Sequence, residues 1–480
     1  MMLSEYKFGY ADATKELMIE PEIFEKAFYD PHNILDKLMN SWKYMLVGRK
    51  GVGKSAYSSK IQHISEHRDD CYAHTIQLND FEYTTFGKAS ADDDLVGTKK
   101  YLDAWNFVIL LNIYKIIYQN LSVTEEVEFN ATINLLEKMG FPITNTFKTT
   151  VTSVSRLKLG ATVGVFDAAY EKEFGCKPIS FSDRVGAVVE KMQNTLTSVY
   201  LPKKIFVLID GVDDILRIKK NQLEILSSLI RSIDMLNQHL FKNKVNIKLL
   251  LFVREDIINQ ITDPDLNKIK RDGSIRLSWV DNTDDLKQIA ELRFRLTEQS
   301  CADDNWYMIF PNKLKGKPSW DRILEYTLYK PRDILQFLGV CQELFPQNEK
   351  LTYSEMTSAI KKYSSDYFIE EMKNELSGYI SDALINTLPS TFQRLGKRSF
   401  SLEKLVQIIE EQSNSKTYSE QDVRQLVLIL FEAGYVGQLI NGGSGKQSVV
   451  FKYRNPAAVI DYNEKMIIHR GIQKGLGIIL

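Results

Sequence analysis

The chain has 480 residues, too many for one hydrophobic core and enough for about three domains. Its 61 Lys and Arg stand against 62 Asp and Glu, and a net charge of −1 argues against a general polyanion binder while leaving local basic patches open. Cys71, Cys176, Cys301 and Cys341 form no C-x-x-C pair, so they are read as reduced thiols of a cytoplasmic protein with no metal site among them.

Residues 1–40 form an N-terminal lead-in. Glu5 interrupts the start and no apolar run follows, so no signal peptide is expected. The segment Phe8 to Glu16 (FGYADATKE) reads as a loop entering a helix, and a second segment runs from Pro21 to Met39. Two readings stand for it: a lead-in lying across a nucleotide base, or a helix packing on a sheet edge.

Lys43 to Val47 (KYMLV) is a short apolar run of the kind that makes a buried strand. It leads directly into Gly48, Arg49, Lys50, Gly51, Val52, Gly53, Lys54 and Ser55, which fit the P-loop pattern G-x-x-x-x-G-K-[ST] without a mismatch. Helical spacing follows in Ala56, Ile61 and Ile64. In such a strand–loop–helix the glycines allow a tight turn whose N–H groups converge on phosphate oxygens at the helix N-terminus. Lys54 would reach the β- and γ-phosphates of ATP, and the Ser55 hydroxyl would ligate Mg²⁺. Gly48 to Ala56 are therefore the expected nucleotide-binding residues.

Cys71 to Asp80 reads as a second strand, with Ile76 and Leu78 alternating against polar neighbours. The acidic run Asp92, Asp93, Asp94 reads as a solvated loop, and residues 99–121 as a long helix with Trp105 and Leu110 on its apolar side. Its most apolar part, Ala104 to Ile117, is broken by Asn112 and Lys115 and is too short to span a bilayer, so a buried helix and no membrane partner are expected. Residues 122–178 carry β-branched runs and little helical period and are read as an insertion, a hairpin or a mobile loop.

Ile205 to Ile209 make a fully apolar strand of the parallel-sheet kind, ending on Asp210. A carboxylate there would face the P-loop and hold Mg²⁺ through water. Asp213 and Asp214 follow, and either has the chemistry to orient or deprotonate an attacking water. Val245 to Val253 reads as a third buried strand, followed by Arg254, Glu255 and Asp256, and Ser274 to Val280 as a last one. A helical region begins near residue 283.

The pair GRKGVGKS and IFVLIDGVDD resembles the AAA+/STAND division of P-loop ATPases, and its acidic ending is similar to that of the NACHT group. Over most of residues 8–345 the chain resembles bacterial P-loop ATPases found beside antiviral defence genes, which open with an F-G-x-x-D-A segment matched by Phe8, Gly9, Asp12 and Ala13. Asp214 stands where NACHT proteins usually carry Glu, a departure that bears on hydrolysis more than on binding. The resemblance implies that Arg254 senses the γ-phosphate, although a local pair with Glu255 or Asp256 is an equal reading. It also implies that Arg332, in YKPRDILQFL, is the sensor-2 arginine of a helical lid. With Lys54, Asp213 and Asp214, these make the expected catalytic set.

Beyond residue 377, three helical segments (SDALINTLP, SLEKLVQIIEEQ, EQDVRQLVLILFEAGYV) and a strand pair around SVVFKYRNP follow the order of a winged helix. Its wing carries Lys446, Lys452 and Arg454, so either DNA contact or an internal clamp fits. The six histidines are scattered and receive no role. The expected protein is α/β: a lead-in over 1–40, a P-loop ATPase core with a parallel sheet over 41–280, a helical lid over 281–376 and a winged-helix domain over 377–480. It would bind and hydrolyse ATP with Mg²⁺ as a switch in bacterial antiviral defence, with homo-oligomerisation open. No effector motif is visible, so any killing activity would belong to a partner protein. The alternatives are a nucleotide-gated DNA-binding protein resembling archaeal replication initiators and a weakly hydrolysing, ADP-holding scaffold.

Overall fold

The apolar runs read from the sequence become five strands: β1 (Met45–Gly48), β2 (Cys71–Gln77), β3 (Lys204–Asp210), β4 (Ile247–Arg254) and β5 (Ser274–Arg276). They form one sheet in the order β2-β3-β4-β1-β5, and every pair in it is parallel. Ile205 to Ile209 are buried in β3, as a strand covered on both faces requires. β5 is shorter than the run Ser274 to Val280 that announces it. The computed structural model describes residues 1–78, 86, 101–121, 126–158, 163–177, 181–212, 221–261, 263–298, 304–412, 418–441 and 447–478.

Two units divide the chain, and the sheet belongs to the one made of His32–Arg49 and Lys54–Leu277. Within it the helix Lys54–His67 packs on β2 and the helix Asn221–Lys242 on β4. The expected buried helix is present as Leu102–Asn120, and residues on all its sides are buried. Its polar groups are satisfied internally: Asn112 Nδ2 donates to the Val108 carbonyl at 2.7 Å and Asn106 Oδ1 accepts from Ser232 Oγ. No helix among the described residues is long and apolar enough to cross a membrane.

The reading of 122–178 as a hairpin or mobile loop is corrected. Described residues there form the helices Val127–Lys138, Phe147–Lys158 and Val163–Phe174. Phe129, Ile133 and Leu136 recur at helical spacing and are buried, as are Val151 and Val154. Phe129 stacks on Tyr114, and Phe141 meets Phe107 edge-on, so the long helix supplies the apolar wall. The β-branched residues lower helix propensity by only tenths of a kcal/mol each, roughly, and burial outweighs that.

The second unit comprises Met1–Pro31, Lys50–Gly53 and Ser278–Leu480. Its N-terminal helices, Ala13–Ile19 and Pro21–Ala27, pack on each other, and the second lies against the helix Thr283–Glu298. A small pair, β6 (Lys313–Leu314) and β7 (Lys317–Pro318), precedes the helix Pro331–Leu344. A run of helix from Tyr353 to Leu376 follows, interrupted by a π-helical turn at Tyr363–Phe368. The three C-terminal helices are present as Asp382–Leu395, Leu402–Gln412 and Glu420–Ala433. The first of them continues through Pro389, where the sequence reading ends it. Four antiparallel strands accompany them, β8 (Ser399–Phe400), β9 (Val436–Asn441), β10 (Gln447–Val450) and β11 (Met466–Ile468), in the order β10-β9-β11-β8. β8, β11 and the last helix, Arg470–Leu476, have no counterpart in the sequence reading because each is too short to show a period.

Candidate functional site

In a parallel sheet, ligands bind beyond the carboxyl ends of the strands. β4 lies between β1 and β3, so the ends of these three strands bring Gly48, Arg254 and Asp210 to one edge. Gly48 is the register partner of Arg254. Asp210 is largely buried, and its Oδ1 accepts from the N–H of Gly211 at 2.8 Å. Asp213 and Asp214 lie outside the described residues.

Lys54 opens the helix that follows the loop, and its side chain is buried. Its ammonium donates to the carbonyl oxygens of Gly48 at 3.1 Å and Arg49 at 3.2 Å, so the lysine folds over its own loop. Ser55 beside it is exposed at the helix N-terminus and Ala56 half-buried. Arg254 forms a bidentate pair with Asp256, at 3.0 and 2.7 Å. Of the two sequence readings of Arg254, the local pair is present in this structure.

The loop tip, Lys50–Gly53, groups with the second unit. Gly51 has φ +79° and Gly53 φ +105°, conformations that side chains rarely adopt. A Cβ on Gly51 would lie 3.4 Å from Lys330 Cδ and 3.6 Å from Arg332 Cβ. Val52 is buried, and its carbonyl accepts from Trp279 Nε1 at 2.8 Å. Lys50 Nζ is 3.6 Å from Glu371 and 4.0 Å from Glu375, and Arg332 is 4.0 Å from the same Glu371 oxygen. One carboxylate thus sits between the P-loop tip and the expected sensor-2 arginine.

Arg332 follows Pro331, which opens its helix at the N1 position, and Asp333 comes next. Asp333 is buried; its carboxylate accepts from the Leu328 N–H at 2.7 Å and the Tyr367 hydroxyl at 3.4 Å. Burial and the nearby Asp333 push the Tyr367 hydroxyl far above its ordinary range, so it stays a donor. Tyr367 stands in the π-helical turn, whose extra residue per turn rotates the helix carrying Glu371 and Glu375. Sequence reasoning missed both glutamates and Trp279. Glu371 is separated from the P-loop by most of the chain, and nothing in its own segment marks it out from any exposed helix face.

Of the three bases expected on a wing, Lys446 lies outside the described residues, and Lys452 and Arg454 have partners of their own. Lys452 Nζ donates to the Ala458 carbonyl at 2.8 Å and pairs with Glu432 at 3.3 Å. The Arg454 guanidinium covers the rings of Tyr329 at 5.0 Å and Tyr453 at 5.4 Å, and donates to the Tyr329 hydroxyl at 3.2 Å. Tyr329 precedes Lys330, Pro331 and Arg332 and holds φ +55°.

Residues 284–370 match the family described as the FunZ-associated C-terminal helical domain. An Escherichia coli K12 protein described as a transposon gamma-delta 80.3 kDa protein is 21% identical over 494 aligned positions, covering 98% of this chain and 67% of its own. Among solved structures, the Aeropyrum pernix Orc1 protein in complex with DNA aligns at 12% identity with a TM-score of 0.41, over 95% of this chain and 91% of that one. Cdc6p from Pyrobaculum aerophilum aligns at 13% identity with a TM-score of 0.31, over 96% and 98%.

Proposed function

We propose that the chain is a nucleotide-operated switch of the AAA+/STAND type, which binds ATP with Mg²⁺, hydrolyses it and uses the cycle to change conformation or assembly. The observation that carries this reading is the P-loop itself, with Lys54 drawn onto the Gly48 and Arg49 carbonyls at the carboxyl edge of a parallel sheet. Phosphate oxygens would take over the ammonium of Lys54, and N–H groups from Lys50 to Ser55 would cradle them. The Ser55 hydroxyl and the Asp210 carboxylate are the oxygen donors suited to Mg²⁺, which would screen the charge on the β- and γ-phosphates. Asp214 would orient and deprotonate the attacking water, with Asp213 as its neighbouring alternative. Arg254 and Arg332 would meet the γ-phosphate by exchanging a carboxylate for a phosphate, a match the guanidinium fork serves equally well.

The setting follows the resemblance to ATPases beside antiviral defence genes, and the transposon-named relative favours a place among mobile-element functions. We read residues 281–376 as the lid and 377–480 as a winged helix working as an internal clamp rather than a DNA reader. The stacking of Arg454 on Tyr329, three residues before Arg332, supports that choice. An effector partner would then receive the switch's state.

Two experiments test the reading. Asp214→Asn keeps the side-chain shape and removes the base, so ATP should still bind while turnover falls about 10²–10⁴-fold. Single-turnover assays with radiolabelled ATP check it, and an unaffected rate alongside a dead Asp213→Asn would transfer the role to Asp213. Glu371→Gln removes the anion that competes with phosphate for Lys50 and Arg332. Because the side chain is partly exposed, the gain should be modest: a fall in the ATP Kd of about two- to fivefold, seen by calorimetry. Weaker binding in this variant would mean that Glu371 positions the arginine rather than opposing the nucleotide.

A further inference from the structure

The last turn of the helix Lys54–His67 holds a side-chain cluster that the nucleotide reading does not use. His63, Glu66 and His67 each offer one ligand atom, and these atoms lie within 4.8 Å of one another. The two histidines are spaced i, i+4, which puts them on one helix face, the arrangement that helical metal motifs use. Their ring centroids are 4.3 Å apart and the rings are tilted by 53°.

A second observation concerns the proton on His67. Its Nδ1 lies 2.8 Å from the carbonyl oxygen of His63. A carbonyl only accepts, so Nδ1 carries the hydrogen and Nε2 of the neutral ring keeps its lone pair. Metal-ligating imidazoles are oriented by just this kind of outer hydrogen bond to a backbone carbonyl. His63 is buried while Glu66 and His67 are exposed, so the cluster has a fixed inner wall and an open outer side.

We propose that His63, Glu66 and His67 form a mononuclear site for a divalent transition metal of the zinc type, which clips the end of the P-loop helix. Two imidazoles and one carboxylate suit zinc, nickel or copper, whereas magnesium and calcium prefer all-oxygen sets. Three protein ligands leave a fourth position for water. The cluster begins eight residues beyond Ser55, about 12–18 Å along the helix at 1.5 Å per residue, so this metal is distinct from any Mg²⁺ at the P-loop. Its effect is on the helix end and the turn into β2.

The test uses the full chain, stripped with a chelator and titrated with zinc in the absence of nucleotide. Calorimetry should give one equivalent bound with a Kd in the micromolar range or tighter. His67→Ala and Glu66→Gln, both exchanges of exposed groups, should each weaken it by about tenfold or more, the scale of 1.4 kcal/mol per decade. Zinc should raise the unfolding temperature of the parent chain and not that of His67→Ala. Ser55→Ala should bind zinc normally, which separates this site from the P-loop. Cobalt in place of zinc should show a visible spectrum without a thiolate charge-transfer band, since the ligand set contains no cysteine. A thiolate band, an unchanged affinity in His67→Ala, or binding weaker than about 100 μM would overturn the assignment.

Discussion

Lys54→Ala is expected to raise the ATP Kd by about 10- to 150-fold, because a charge-assisted hydrogen bond of about 1.5–3 kcal/mol to phosphate is lost. The buried ammonium is already used as a donor within the protein, giving its hydrogens to the carbonyl oxygens of Gly48 and Arg49. Phosphate is the stronger acceptor for the same donor, so nucleotide binding should pull Lys54 away from its loop. The fold should survive the exchange, since the two carbonyls stand beside a loop that water reaches at its half-exposed Arg49, Gly51 and Gly53. Calorimetry on a variant with unchanged far-UV circular dichroism checks the prediction. An ATP affinity equal to that of the parent chain would remove the P-loop from the proposed function.

The second large effect concerns stability. Glu16 and Arg293 form a buried ion pair in the second unit, with Nη2 of the arginine 3.0 and 3.1 Å from the two carboxylate oxygens. Nε of Arg293 donates to the Phe8 carbonyl at 2.8 Å, and Glu16 Oε1 accepts from the Tyr10 N–H at 2.9 Å. Asp12 caps the helix between them by accepting from the Lys15 N–H. Gly9, at φ +71°, is needed here because a Cβ would lie 1.8 Å from Glu16 Oε1. The segment F-G-x-x-D-A is therefore a docking device: its glycine makes room for the carboxylate and its aspartate starts the helix that carries it. Burial lowers the Arg293 pKa, with the Glu16 charge opposing that shift, so the pair depends on both members.

Removing one member leaves the other charge buried without its counter-ion, which costs about 3–5 kcal/mol. Arg293→Ala should accordingly lower the stability of this unit by that amount, a large part of the ~5–15 kcal/mol that holds a typical domain. Urea unfolding followed by tryptophan fluorescence checks it, since Trp279, Trp306 and Trp320 lie in the same unit and are buried. A loss below about 1 kcal/mol would mean that the pair is solvated in solution and behaves as a surface one.

The sequence by itself determined what depends on contiguous residues. A P-loop acts through successive backbone N–H groups, a lysine and a hydroxyl, so its whole chemistry is contained in Gly48 to Ser55. Buried parallel strands are uniformly apolar, so β3 and β4 were visible as runs, and Asp210 and Arg254 could be located at their ends. The three helices Asp382–Leu395, Leu402–Gln412 and Glu420–Ala433 could be read for a related reason, since each amphipathic helix carries its own period.

Tertiary structure decided the rest, because its determinants lie far apart in the chain. Helix formation in Val127–Lys138, Phe147–Lys158 and Val163–Phe174 was hidden behind β-branched residues, whereas the long helix Leu102–Asn120 supplies an apolar wall for Phe129 and Phe141. Arg254 had two equal readings, and only the bidentate pair with Asp256 distinguishes what it does in this structure. Lys452 and Arg454 looked like a basic wing, yet Glu432 and the ring of Tyr329 occupy them. Glu371 reaches Lys50 and Arg332 through a π-helical turn that no periodicity announces. An ion pair between positions hundreds of residues apart leaves no local trace, because its energy depends on where folding brings two charges and not on their neighbours in sequence.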